Sequence, residues 1–195
     1  LGSGRLGAMV RGRYEHELFE MNEESVWAGS QINNNNKESA IHLKEIQDAI
    51  FKSQFDEAKD LATKYMVGTP SRIRSYQPLG NLKINYSFIE RDIQEYSRSL
   101  NLNQGVHVTS FLNRGNKIVQ RSFISAPDDA LFLGWTSDEP ISFEVSLDRA
   151  RDVNSYGSWK DGIYYVGQIL DSMKADSGPS GSHMRFAAGV KILKS

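Results

Sequence analysis

Three glycines at the start of the chain have the spacing of a dinucleotide-binding motif. Gly2, Gly4 and Gly7 spell G-x-G-x-x-G, a pattern in which the pyrophosphate lies at the amino terminus of a helix. That chemistry requires a strand before the glycines and a helix after them. Only four residues separate Gly7 from the next glycine, Gly12, which is too few for a useful helix. The competing interpretation, a turn that leads into a strand over 5–10, fits this context better.

The tryptophans are the candidates for stacking against a sugar ring. Trp135 lies in an alternating strand and is predicted in the core, whereas Trp27 and Trp159 are predicted in loops. A tryptophan in a loop forms either a ligand platform or an apolar anchor that holds the loop. Both interpretations stay open for Trp27 and Trp159.

The titratable residues show no spacing typical of an active site or a metal site. The four histidines lack the i, i+4 and H-x-H spacings of metal ligands, and each is expected to be solvated or locally bonded: His16, His42, His107 and His183. Glu23 and Glu24 are adjacent, and adjacent side chains on a strand point to opposite faces. The carboxylates of a glycosidase come from distant segments. We therefore assign no catalytic residue, no metal ligand and no cofactor to this chain.

The composition argues against several other classes of protein. The 195 residues include no cysteine and carry a formal net charge of −1. Disulfides and thiolate metal sites are therefore excluded, and no global basic field attracts nucleic acid or an anionic membrane. No apolar run approaches the ~20 residues that span a bilayer. A signal peptide is not recognisable, and the sequence alone leaves the compartment unknown.

Two helices are predicted in the first half of the chain, over 39–51 and 54–66. Ser53 and Asp56 have the spacing of a capping box at the start of the second helix. The apolar residues of the first helix recur at helical spacing and are expected to share one face: Ile41, Ile46, Ala49 and Ile50.

From Tyr76 onward the apolar period changes from helical to two, as in β-strands. The clearest inward rows are Leu82, Ile84, Tyr86 and Phe88, and Ile141, Phe143, Val145 and Leu147. The later strands have no helical crossovers between them, so the sheets are expected to be antiparallel. The sequence therefore predicts a mainly β fold: one large antiparallel β-sandwich domain over 1–195, with a helical hairpin inserted at about residues 39–66.

Seven short motifs follow one another along the chain: Gly2–Val10, Asn22-Glu-x-x-Val-Trp27-Ala-Gly29, Met66-Val-Gly-Thr-Pro70, Tyr76-Gln-Pro-Leu-Gly-Asn-Leu82, Tyr96-x-Arg98-x-Leu100-x-Leu102, Arg121-x-Phe123-x-Ser125-x-Pro127-Asp128 and Met184-Arg-Phe186. The ordered set resembles the amino-terminal domain of glycoside hydrolase family 95, the inverting α-L-fucosidases. Two positions depart from that family's pattern. Asn81 replaces an Asp that is usual there, and Arg11 replaces a common apolar residue.

The resemblance implies that the chain is one domain of a longer enzyme. In that family the amino-terminal β-domain packs against an (α/α)6 barrel, which supplies the general acid and the general base. No residue here inherits those roles, and the fragment alone is expected to be inactive. The implied partners are the chain's own carboxy-terminal barrel domain and a fucosylated glycan or related L-sugar. The implied location is periplasmic or secreted.

Two long polar segments, 22–29 and 69–77, are the candidates for functional contact. Both are longer than a simple connection requires. We expect them to lie at the rim of a substrate pocket or at the domain interface, through five residues: Asn22, Glu23, Trp27, Tyr76 and Gln77. An alternative function is that of a stand-alone carbohydrate-binding β-sandwich, which would use Trp27 or Trp159.

Overall fold

The computed structural model describes residues 1–88, 90–171 and 181–193. It contains two compact units. The first comprises Leu1–Trp27, Tyr76–Ile169 and Arg185–Ser195, and the second comprises Ala28–Ser75 and Leu170–Met184.

Eleven strands are present in the described residues. In chain order they are β1 (Leu6–Val10), β2 (His16–Glu23), β3 (Gly80–Tyr86), β4 (Ile93–Asn101), β5 (Val106–Asn113), β6 (Asn116–Ser125), β7 (Ala130–Ser137), β8 (Phe143–Asp148), β9 (Val153–Trp159), β10 (Gly162–Asp171) and β11 (Gly181–Lys191). They form three sheets with the orders β1-β2-β3-β8, β4-β5-β6-β7 and β11-β10-β9.

The two four-stranded sheets of the first unit are antiparallel throughout and face each other. Along β3 the burial alternates, with Leu82, Ile84 and Tyr86 buried. The Tyr86 hydroxyl donates to Gln120 Oε1 on the facing sheet at 2.6 Å. Trp135 stacks on Phe143 with the ring centroids 4.8 Å apart. These contacts confirm the predicted antiparallel sandwich, and they place Trp135, which is only partly buried, against Tyr86 and Phe143.

The second unit contains the predicted helical hairpin. Helix α1 spans Ser39–Phe51 and helix α2 spans Phe55–Tyr65. The Ser39 hydroxyl donates to the Tyr65 carbonyl oxygen at 2.6 Å and joins the two helices. No helix among the described residues is long and apolar enough to cross a membrane.

Two details predicted for the hairpin are wrong. Ile46 and Ala49 are buried, but Ile41 and Ile50 are 69% and 48% exposed. Only one stripe of α1 packs against α2, since a two-helix hairpin offers each helix a single neighbour. The capping box is also absent, because the cap residue of α2 is Gln54 and its side chain makes no capping hydrogen bond.

The opening glycines form a turn and a strand entry. The Ser3 amide donates to the Leu6 carbonyl oxygen at 2.9 Å, and Gly2 and Gly7 form an isolated antiparallel bridge. Strand β1 begins at Leu6. Because no helix follows the glycines, the structural context of a dinucleotide site is missing and that interpretation is wrong.

Two loop predictions are corrected by the strand bounds. Asn22 and Glu23 are the last residues of β2, and Trp159 is the last residue of β9. Strand β9 was not predicted, because its sequence is rich in polar residues and glycine. Its hydrogen-bonded pairing with β10 defines it as a strand.

Candidate functional site

Trp27 and Tyr76 lie at the centre of the predicted rim, and we call them the aromatic clamp. Their backbones meet in an isolated antiparallel bridge. Their ring centroids are 5.3 Å apart and the ring planes are inclined by 65°. Trp27 Nε1 donates to the Glu24 carbonyl oxygen at 2.9 Å, and the Tyr76 hydroxyl donates to the Glu23 carbonyl oxygen at 2.8 Å. The clamp therefore fixes the end of β2 against the chain that leads into β3.

Glu23 is the charged residue beside the clamp. Its Oε2 accepts hydrogen bonds from the Ser25 amide at 2.9 Å and the Ser25 hydroxyl at 2.6 Å, and its Oε1 accepts from Arg5 Nε at 3.1 Å. Burial alone would raise the pKa of Glu23, but the bonds from Ser25 and Arg5 outweigh burial and hold the pKa below its ordinary value. An ionised carboxylate with occupied oxygens is a poor general acid.

Gln77 is buried directly after the clamp. Its backbone amide donates to the Val26 carbonyl oxygen at 2.8 Å. Its side-chain Oε1 accepts a hydrogen bond from Arg151 Nη2 at 2.8 Å. Gln77 therefore supports the clamp from within the first unit, and its side chain is not available to a ligand.

Arg149 is a supporting residue that sequence reasoning missed. Its buried guanidinium donates to the carbonyl oxygens of Pro78 and Leu79 and lies 4.3 Å from the centre of the Phe186 ring. Burial lowers the pKa of Arg149. The Tyr165 hydroxyl also donates to the Leu79 carbonyl oxygen, at 2.7 Å. Arg149 is 71 residues from Pro78 along the chain, so no local sequence pattern links them.

Asn22 is the predicted site residue that the structure separates from the others. Its Cα lies opposite Gly7 of β1, and Glu23 lies opposite Leu6. Neighbouring side chains on a strand point to opposite faces. The structure therefore brings Glu23, Trp27, Tyr76 and Gln77 together and places the Asn22 side chain on the other face of β2.

The second unit contains part of each predicted rim segment, namely residues 28–29 and 69–75. There the Ala28 amide donates to the Ser75 carbonyl oxygen at 2.9 Å. Arg74 is buried and its Nη1 lies 3.0 Å from Asp171 Oδ2. These parts of the predicted rim are thus held by contacts within that unit.

Glu17 is a deeply buried carboxylate that the sequence analysis did not identify. It is 1% exposed, and burial raises its pKa in spite of the hydrogen bonds it accepts from the backbone amides of Leu18 and Gly12, at 2.9 Å and 2.8 Å. The Tyr96 hydroxyl donates to the Gly12 carbonyl oxygen at 2.5 Å. Glu17 and Tyr96 together hold the turn between β1 and β2, which is a structural role.

The histidines show a mixture of environments. His16 and His42 are hydrogen-bonded to Asn85 and Glu45, as expected for locally bonded residues. His107 is buried rather than solvated, and burial together with the nearby charge of Arg98 lowers its pKa. In the residues that the structure describes, no three His, Cys, Asp or Glu side chains are grouped closely enough to hold a metal ion.

A second aromatic pair lies on the three-stranded sheet, and we call it the parallel pair. The rings of Trp159 and Tyr164 are inclined by only 18°, with centroids 5.3 Å apart. Their side chains are 43% and 36% exposed. The two aromatic candidates from the sequence, Trp27 and Trp159, therefore occupy sites of different geometry.

Comparison with known proteins provides a further finding. The model of the family described as "Glycosyl hydrolase family 65, N-terminal domain" matches residues 1–195. Alpha-L-fucosidase 2 of Arabidopsis thaliana is 28% identical over 152 residues, which are 76% of this chain and 18% of that protein. Probable alpha-fucosidase A of Aspergillus niger is 32% identical over 148 residues, which are 72% of this chain and 18% of that protein. The matched part of the chain thus spans about a fifth of the length of these curated relatives.

Proposed function

The chain belongs to the family of glycosyl hydrolase family 65 N-terminal domains, and from this premise we propose that it supports the catalytic barrel of a longer inverting α-L-fucosidase, of the kind grouped in glycoside hydrolase family 95. The coarser relationship follows from the family match and the curated relatives. The finer assignment is supported by the ordered motifs from Gly2 to Phe186. The observation that carries the proposal is a difference in length. An amino-terminal domain model matches the whole chain. The matched region, however, is only 18% of the length of a relative named as an α-L-fucosidase.

The chemistry in this proposal belongs to the part of the enzyme beyond this domain. In an inverting glycosidase one carboxylic acid protonates the leaving oxygen, while a carboxylate on the other side activates water. The buried and hydrogen-bonded carboxylates of this chain have other uses. Glu17 holds a turn, and Glu23 is engaged by Ser25 and Arg5.

The aromatic clamp is our candidate for the contact with the barrel. Trp27 and Tyr76 are fixed by hydrogen bonds at one end and are 40% and 37% exposed. A rigid, half-exposed aromatic pair presents apolar surface with little loss of side-chain entropy on binding. This combination suits either a domain interface or the rim of the substrate pocket.

Expression of the full-length protein and of the 195-residue chain tests the proposal. We expect the longer protein to release nitrophenol from nitrophenyl α-L-fucoside with inversion of configuration, and the 195-residue chain to release none. A full-length protein inactive on every α-L-fucoside and α-L-galactoside would contradict the proposal. The stand-alone binding module would be favoured by two results together: the 195-residue chain binds a sugar in calorimetry, and the full-length protein is inactive.

A further inference from the structure

The parallel pair lies on the outer face of the β9–β10 hairpin. In the pairing of these strands, Trp159 is opposite Gly162 and Tyr164 is opposite Gly157. Because side chains alternate along a strand, all four residues share one face. The neighbouring Tyr165 points to the other face and is fully buried. The aromatic rings therefore lie on the face opposite the buried Tyr165.

Glycines leave room for these rings to lie over the sheet. A Cβ atom at Gly162 would be 2.6 Å from Nε1 of Trp159, and one at Gly189 of β11 would be 2.9 Å from Cη2 of the same ring. A Cβ atom at Gly157 would collide with the ring of Tyr164. The indole thus extends from β9 across β10 to β11. The Trp159 ring therefore lies close to the backbone of β10 and β11 at these two glycines.

The polar groups of the parallel pair have no hydrogen-bond partner among the described residues. Trp27 and Trp135 donate their Nε1–H groups to the Glu24 carbonyl oxygen and the Tyr86 hydroxyl. Neither Trp159 Nε1 nor the Tyr164 hydroxyl makes a hydrogen bond to any residue that the structure describes. The pair therefore combines two offset ring faces with hydrogen-bonding groups available to a ligand.

We propose that Trp159 and Tyr164 form a carbohydrate-binding surface on this sheet. A sugar ring has an apolar face of C–H groups and a rim of hydroxyls. The electron-rich face of an aromatic ring attracts the partly positive C–H groups, while the indole N–H and the phenol hydroxyl bond to the sugar hydroxyls. The two rings are stacked with centroids 5.3 Å apart, so two side chains contribute aromatic surface at the same place.

The surroundings of the parallel pair favour a sugar over a protein partner. A stable protein interface buries ~800 Å² on each side and has a core depleted of lysine. Here glycines lie next to the rings on all three strands, and Lys160 and Lys191, which are close to them in sequence, are exposed. A small amphipathic ligand is therefore the better match. The choice of a fucosylated glycan as ligand rests on the proposed function, because the parent enzyme would act on such glycans.

Affinity electrophoresis of the full-length protein in gels that contain fucosylated xyloglucan tests this inference. We expect the wild-type protein to be retarded and Trp159→Ala to bind about tenfold more weakly, with Tyr164→Ala and Trp159→Phe intermediate, because Trp159→Phe keeps an aromatic ring but lacks the indole N–H. Tyr156→Ala is the matched control, since Tyr156 is on the same strand, points to the other face and is 61% exposed. The unfolding temperature of each variant is measured in parallel.

Three outcomes would overturn the inference: no retardation of the wild type, equal retardation of wild type and Trp159→Ala, or the same loss in Tyr156→Ala. If Trp159→Ala does not fold, Tyr164→Ala and Trp159→Phe decide between these outcomes. Hydrolysis of nitrophenyl α-L-fucoside by the wild type is assayed separately. Retardation that depends on Trp159 in a protein without fucosidase activity would contradict the proposed function alone, and active protein without retardation would contradict this inference alone.

Discussion

The aromatic clamp and the parallel pair contain the same residue types at the same centroid distance but have different geometry. The rings are 5.3 Å apart in both. The planes of Trp27 and Tyr76 are inclined by 65°, whereas those of Trp159 and Tyr164 are inclined by 18°. The clamp donates both polar groups to backbone oxygens of β2 and the residue after it, and the parallel pair donates neither to a described residue. Exposure alone, about 40% in each pair, does not reveal this difference.

The contrast indicates how a half-exposed aromatic residue can be assigned a role. A ring that is edge-on to its neighbour and hydrogen-bonded to the backbone is held in place and holds the backbone in return. A ring that is parallel to its neighbour, with its polar group unused, contributes less to folding and leaves more to a ligand. We therefore expect the two pairs to respond differently to the same substitutions.

The largest expected difference is in stability. Trp27→Ala should lower the free energy of unfolding by about 2 kcal/mol, because it removes an aromatic contact and a hydrogen bond. Trp159→Ala should lower it by less than about 1 kcal/mol, because its ring makes no hydrogen bond to a described residue. Urea denaturation followed by circular dichroism measures both. As a control for the Tyr76 hydroxyl alone, Tyr76→Phe should lower the free energy of unfolding by about 1 kcal/mol. Equal losses for the two tryptophans would contradict the distinction.

A loss of stability similar to that of Trp27→Ala is expected from filling the space beneath the parallel pair. A Cβ atom at Gly162 would collide with the carbonyl oxygen of Val190 as well as approach Trp159. Gly162→Ala should therefore loosen the contact between β10 and β11, with a loss of about 2 kcal/mol. At Gly157 the atoms in the way belong to the outer end of the Tyr164 ring, which can move.

The matched variant Gly157→Ala should consequently be close to the wild type in stability, within about 1 kcal/mol. It should still weaken retardation by xyloglucan, because the Tyr164 ring is displaced. Denaturation and affinity electrophoresis on the same samples separate the two effects. A Gly157→Ala variant that is as unstable as Gly162→Ala would show that the ring position is fixed by the fold.

The smallest effect is a pH dependence at the clamp. The folded-state pKa of Glu23 is depressed, so its contribution to stability is present above the unfolded-state pKa and is lost as the pH falls through the folded-state pKa. Stability measured from about pH 7 down to about pH 3 should therefore decrease less steeply in Glu23→Gln than in the wild type. Ser25→Ala, which removes one donor, should lie between them. Identical pH profiles would mean that the bonds from Ser25 and Arg5 do not stabilise the fold.

Much of the fold was predictable because it depends on local periodicity. The alternation of Leu82, Ile84 and Tyr86 gave β3 and its buried face correctly, and the helical spacing gave α1 with its observed bounds. Errors arose where a neighbour that is distant in sequence decides the outcome. Ile41 and Ile50 have suitable spacing for a buried face but are exposed among the described residues, and β9 has a weak pattern but pairs with β10.

The candidate site was predictable to a lesser degree. Polar and aromatic residues identified the segments 22–29 and 69–77 as candidates. The structure places four of these residues together: Glu23, Trp27, Tyr76 and Gln77. Their supports could not be read from the sequence, since Arg149 and Tyr165 contact the segment after Gln77 from positions 70 and 86 residues away from Leu79. Tyr164 was not identified as a candidate, because the partner of Trp159 is defined by the register of two strands.

By itself the sequence determined the strand and helix periods, the helical insertion, the absence of cysteine chemistry and the relationship to glycoside hydrolase amino-terminal domains. These properties depend on residue types and on spacings of a few positions, which a linear chain records directly. Only the tertiary structure decided that the Trp27 indole donates to the Glu24 carbonyl oxygen, whereas the Trp159 indole makes no hydrogen bond to a described residue. Ring inclination and the use of an N–H group depend on which distant backbone atoms lie next to the side chain, and those neighbours are set by strand pairing.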